Sequence, residues 1–175
     1  MPTPNVEYRV ARADASGLAA HSVDVVTVAQ ALHWFAGEPF FTEVRRVTRP
    51  GGHLVAWSYG SCHAGEDIET LLREFEHGAM GPYWSPERKW VDERYATIPF
   101  HFPEVPSPAV QLRTTWTLRQ LGAYLSSWSA VATFRRERGQ DPVGPLLERI
   151  GQLWGPADGT RDVTWPLHIR ARRIE

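Results

Sequence analysis

The stretch "VAQALHWF", residues 28–35, sets a glutamine, a histidine and a tryptophan at the end of the apolar run "VDVVTV". In open α/β sheets, ligands sit outside the carboxyl ends of the strands. Gln30, His33 and Trp34 therefore stand where a ligand would be met. An amide both donates and accepts hydrogen bonds, an imidazole can move a proton near neutral pH, and an indole face attracts a cation. Each residue also has a plainer reading. Trp34 and Phe35 can seal the following helix onto the sheet, and His33 can be a hydrogen-bonded core histidine.

A second string, "AWSYG" at residues 56–60, approximates the serine-hydrolase elbow G-x-S-x-G with alanine in the first place, and Asp162 and His168 follow Ser58 in chain order. The elbow needs a helix to begin at once after the serine. Here "SCHAGED" intervenes, which weakens the resemblance. The seven histidines show no zinc-protease pairing at i, i+4 with an acidic neighbour. Cys62 is the single cysteine, so the chain can form no internal disulfide and no cysteine-rich zinc site, which fits a reducing cytoplasm.

The elements that must position these residues follow from periodicity. "VEYRVAR" alternates apolar and polar side chains and predicts a half-buried strand over 6–12. "VDVVTVAQA" is apolar on both parities, which predicts a central parallel strand at 24–30 covered on both faces, and "HLVAW" predicts another at 53–58. Phe40, Phe41, Val44 and Val47 share a face of an intervening helix near 39–48, with Pro39 in its first turn. A second helix is expected over Glu66–His77, ended by Gly78. From Gly78 to Pro108 the chain mixes six prolines with Tyr83, Trp84, Trp90, Tyr95, Phe100 and Phe102, too many prolines for regular elements and too many aromatics for a linker. Such a segment reads either as a lid or as a packed surface loop. "VQLRTTW" predicts a strand, Thr117 with Gln120 a capping box, and Asp141-Pro142 a further helix start. Pro166 cannot donate to a ladder, so the last strand is expected to begin near Leu167 or to run at an edge there. Both C-terminal strands are expected beside the strand at 53–58.

Composition narrows the function classes. The 175 residues, 42% hydrophobic and 22% charged, suit one soluble domain, and a net charge of -1 gives no field for attracting nucleic acid. The arginine clusters at 135, 136, 138 and at 170, 172, 173 are too short for a phosphate track. No uncharged run, Val25 to Gly37 included, reaches the ~18 apolar residues of a membrane span. "MPTPNVEYRV" lacks the order of a secretion signal. Neither nucleic acid nor membrane is expected as a partner.

Taken together, "VEYRVARADASGLAAHSVDVVTVAQALHWF" and "EVRRVTRPGGHLVAWSYG" resemble the class I S-adenosylmethionine-dependent methyltransferases. The branch they are most similar to is the small-molecule, methyltransferase type 11 group that includes trans-aconitate-type enzymes. The resemblance implies an α/β, Rossmann-like fold, methyl transfer from S-adenosylmethionine to a small-molecule acceptor, and a helical and aromatic lid. It assigns Asp14 and Ala15 to the adenine, and Gln30, Ala31, His33 and Trp34 to the methionine end of the cofactor. Tyr83, Trp84 and Trp90 fall to the substrate pocket, and no catalytic residue is assigned. The implied layout is a single partial domain with a cofactor-side core at 1–60, a lid at 61–109 and a C-terminal β-α-α-β at 110–175.

The family pattern also has a glycine-rich loop after its first strand and a ribose-binding carboxylate after its second. Since "VEYRV" matches the third strand, both are expected to be missing, as in an N-terminally truncated domain that is inactive alone. The strand at 24–30 is then expected to keep an open apolar edge through which the chain associates. A non-catalytic methyltransferase-like binding subunit is the alternative function, and a serine hydrolase using Ser58 is the third.

Overall fold

A computed structural model of the chain describes residues 5–156 and 158–175, so the first four residues of "MPTPNVEYRV" lie outside the described residues. The chain forms two compact units. The first runs up to Ser58 and includes Tyr95–Pro108 and Ile169–Glu175; the second comprises Tyr59–Arg94 and Ala109–His168.

In the first unit, β1 (Val23–Ala29), α1 (Glu38–Val47) and β2 (Thr48–Ser58) form the expected parallel strand-helix-strand. The register jumps from Val23↔Thr48 to Val25↔His53, and the extra residues of β2 are absorbed at Pro50-Gly51-Gly52. Two glycines are needed there for different reasons. Gly51 has φ +83, and a Cβ on Gly52 would stand 2.5 Å from the Asp24 carbonyl oxygen. α1 begins with Pro39 in its first turn and buries Phe40, Phe41, Val44 and Val47, the face read from the sequence. In β2, Leu54, Ala56 and Ser58 are buried while Val55 and Trp57 are only partly exposed, as expected of an inner strand. The sheet order is β1-β2-β5-β3, where β3 is Glu104–Val105 and β5 is Thr160–Arg173.

Two expectations for this unit fail. Residues 6–11 form no strand, and Val6, Tyr8 and Val10 are exposed at 47%, 83% and 107%. Alternation alone does not make a strand, because a lone extended segment has no ladder to satisfy its backbone. β1 is likewise not covered on both faces. It ends the sheet, Val25 is 49% exposed, and Val28 is its buried residue.

The second unit is built around a core of Ile68, Leu72, Met80, Leu121, Leu125 and Ile150, each nearly or fully inaccessible. Around it lie α2 (Glu66–Arg73), α3 (Arg88–Asp92), β4 (Val110–Thr117), α4 (Leu118–Ser126), α5 (Ser129–Arg138), α6 (Val143–Trp154) and the first part of β5. Gly78 does not stop the α2 run, which widens into a π turn over Glu74–Ala79. The Gly78–Pro108 segment is also more regular than its prolines suggest. Pro82 sits in the first turn of a 3₁₀ helix at Gly81–Tyr83, and Pro86 lies just ahead of α3, places where a missing N–H costs nothing. β4 pairs with β5 and not with β2. β5 runs straight through Pro166, starting six residues before it. Thr164 sends its N–H to His63, away from β4, and Pro166, two residues on, faces the same way, so the β4–β5 ladder loses no donor. Among the described residues no helix is long and apolar enough to cross a membrane.

Candidate functional site

The carboxyl end of β1 turns sharply. Gln30 takes φ +49, a left-handed conformation uncommon for a side chain-bearing residue, while its N–H still bonds the Trp57 carbonyl of β2 at 2.9 Å. A 3₁₀ turn, Leu32–Trp34, follows at once. It buries Leu32 completely and His33 to 7% exposure, and leaves the Trp34 indole 55% exposed. The imidazole and indole centroids are 4.8 Å apart.

His33 is fixed from behind. Its Nδ1 lies 3.1 Å from the hydroxyl of Tyr95, which the sequence marks only as one aromatic of the proline-rich segment, 62 positions along the chain. Burial pushes the Tyr95 phenol up to about 12, with the backbone amides of His33 and Leu32 opposing the shift. A phenol held neutral in this way can donate to Nδ1. That places the proton of a neutral imidazole on Nε2. Tyr95 and its neighbour Arg94 both sit at φ +57, and only the fold reveals that backbone requirement.

Asp14 lies in a separate turn closed by the Ala15 N–H to the Arg12 carbonyl at 3.1 Å. Its two oxygens accept from Arg12 at 2.8 and 2.7 Å, and that guanidinium holds the carboxyl below its usual range. Ala15 is exposed at the end of the same turn. The next residue anchors the turn: Ser16 donates through its N–H and its hydroxyl to Glu43 of α1. Glu43 also accepts from Arg46, and these partners lower its carboxyl to about 2.

Tyr83, Trp84 and Trp90 belong to the second unit. The Tyr83 ring meets Phe134 edge-on at 5.0 Å, and its hydroxyl accepts from Arg138. Trp84 donates to the Glu76 carbonyl, with Trp128 at 5.5 Å and the Arg88 guanidinium 4.2 Å over the ring. Trp90 is half-buried beside Lys89. Tyr83 and Trp84 therefore pack on their unit's core.

The hydrolase reading does not survive the geometry. The Ser58 hydroxyl is fully buried with no hydrogen-bond partner among the described residues, and the next helix starts only at Glu66. Asp162 is engaged by Arg113 and Thr115. Among the described residues no cluster of His, Cys, Asp and Glu could hold a metal ion.

Comparison with known proteins agrees with the β1-α1-β2 architecture. A family model for the methyltransferase domain matches residues 1–56. The solved structure of a provisionally named type II methyltransferase from Anaeromyxobacter dehalogenans superposes with a TM-score of 0.89 at 38% identity, covering 99% of this chain and 74% of that one. A provisionally named methyltransferase of Dictyostelium discoideum is 32% identical over 173 residues. An uncharacterized methyltransferase-like protein of Schizosaccharomyces pombe is 45% identical over 152 residues. The chain belongs to the class I S-adenosylmethionine-dependent methyltransferases. It spans 66% of the length of the Dictyostelium protein and 57% of the yeast one.

For a class I methyltransferase, the residues of the first unit suit two parts of the cofactor. The Asp14 carboxylate retains acceptor capacity beyond the two bonds it takes from Arg12, as an exocyclic amine requires. The exposed Trp34 face suits a sulfonium.

Proposed function

We propose that this chain serves S-adenosylmethionine-dependent methyl transfer to a small-molecule acceptor. Asp14 and Ala15 would receive the adenine, and Gln30, Ala31, His33 and Trp34 the methionine end. The observation that carries the proposal is the Leu32–Trp34 turn. An indole left 55% exposed, beside a histidine locked by Tyr95, is poised for a ligand at the carboxyl end of a parallel strand. When bound, the cofactor supplies an electrophilic methyl group on sulfur. The protein's part is to hold it: Asp14 accepts from the adenine amine, Trp34 offers its face to the cation, and Tyr95 and His33 keep that ring in place. Tyr83, Trp84 and Trp90 would contribute to an acceptor pocket through whichever ring edges their packing leaves open.

We assign no described residue to the ribose or to the cofactor carboxylate, so affinity in the 175 residues should be weak, with a Kd toward the millimolar range. Titration with S-adenosylmethionine, followed by NMR, should shift the Gln30–Trp34 resonances first. Trp34→Ala and Asp14→Asn should each weaken binding about tenfold, and Trp34→Phe less. Shifts confined to other regions, or variants that bind like the parent, would overturn the assignment. A methyltransferase-like binding subunit is the second reading. Transfer of a labelled methyl group by the chain would eliminate it.

A further inference from the structure

The second unit holds a cavity of about 230 Å³ whose wall is unusually rich in nitrogen donors. Arg73, His77, Arg94, His63 and His168 line it, and Glu69 is the single carboxylate among its lining residues. That carboxylate is taken, since Glu69 lies 2.7 Å from His63 Nδ1. Arg73 and His77, by contrast, make no side-chain hydrogen bond or ion pair among the described residues. They stand four residues apart on the continuous run of α2 and its π turn, so both project from the same side. Arg94 enters the wall from a residue held at φ +57, a conformation that persists only where the surroundings impose it.

The cavity offers no ready nucleophile. Cys62 lines it, but its thiol is buried and pushed up to about 12, chiefly by burial and next by Glu76, so it is no nucleophile at neutral pH. The Ser61 hydroxyl is committed to the Glu76 carboxylate. What remains is Arg73 and His77 with uncommitted donors, beside the Arg94 guanidinium, in a space smaller than the ~300 to 1,000 Å³ of drug-sized sites. Planar guanidinium forks match carboxylate and phosphate oxygens.

We propose that this cavity binds a small anion bearing carboxylate or phosphate oxygens, with Arg73 and Arg94 as its charge partners and His77 as an added donor. The inference is independent of the methyl-transfer reading, because none of the residues lining the cavity is one assigned to the cofactor or to the acceptor pocket.

Calorimetric and NMR titrations of the 175-residue chain with succinate and, separately, inorganic phosphate test it. Binding of either or both is expected, and which one binds identifies the source of the oxygens. Arg73→Ala should weaken it at least about tenfold, and His77→Gln less. Both side chains are exposed, so melting temperatures should hold within a degree or two and show that a loss is not unfolding. The neutral diamide of succinate should not bind. No binding of either anion at 10 mM (roughly a 3 kcal/mol interaction), or binding that Arg73→Ala leaves unchanged, would overturn the proposal.

Discussion

Glu43 shows how one side chain fixes a functional turn. It is 8% exposed, and it gathers Arg46 Nε and Nη2 with the N–H and hydroxyl of Ser16, while Arg46 also reaches the Leu18 carbonyl. Arg46 contributes most to lowering its carboxyl from 4.5 to about 2, and Ser16 contributes next. The folded value lies below the unfolded one, so this stability is fully present above about pH 4.5 and fades as pH falls toward 2. Glu43→Gln should therefore cost about 2 kcal/mol at pH 7, measured by urea unfolding, and the difference from the parent should shrink as pH falls through that window. A difference that stays constant down to pH 2 would mean packing, not charge, accounts for the cost. Because the Asp14 turn is tied to α1 only one residue later, the same variant should loosen the proposed adenine end.

At the scale of elements, α4 shows a start signal and a packing constraint together. Thr117 accepts from the Gln120 N–H while the Gln120 side chain accepts from the Thr117 N–H, the reciprocal cap read from the sequence. Thr117→Ala should lower stability by about 1 kcal/mol, and Thr117→Ser should restore most of it. Gly122 on the same helix carries a second constraint. A Cβ there would stand 2.5 Å from Leu147 Cδ1 of α6, the movable end of a half-buried side chain, so in Gly122→Ala the repacking of that methyl should offset alanine's better helix propensity and leave thermal stability within about 1 kcal/mol of the parent. Caps and amphipathic faces are local, which is why α1, α4, α6 and the β1-α1-β2 unit were legible in the sequence. Features that depend on a distant partner were not. "VEYRVAR" alternates like a strand and finds no ladder, the prolines at 82 and 86 sit harmlessly at helix starts, and Pro166 is tolerated because its nitrogen faces away from β4. At the candidate site, the chain segment Gln30–Trp34 could be read from its residue types. Tyr95 could not, because its pairing with His33 spans 62 positions and left no periodic trace.

On the scale of the whole molecule, the edge of the sheet has the largest consequence. β1 has β2 on one side and no other strand among the described residues, so its outer N–H and C=O groups are open to a partner strand. Val25 at 49% exposure adds apolar surface along that edge, and Val6, Tyr8 and Val10 add more nearby in sequence. A net charge of -1 gives little long-range repulsion to keep two copies apart. The chain should therefore associate with rising concentration, and sedimentation should report a mass that climbs above the monomer in the micromolar range. Val25→Lys places a charge on the exposed face, a common defence of natural edge strands, and should shift that association to at least about tenfold higher concentration. Val10→Lys is the control. Its side chain is fully exposed outside any strand, so it should change association much less if the β1 edge is responsible. Equal effects from both substitutions would make the association a general matter of charge and apolar area, and would remove strand pairing as its cause.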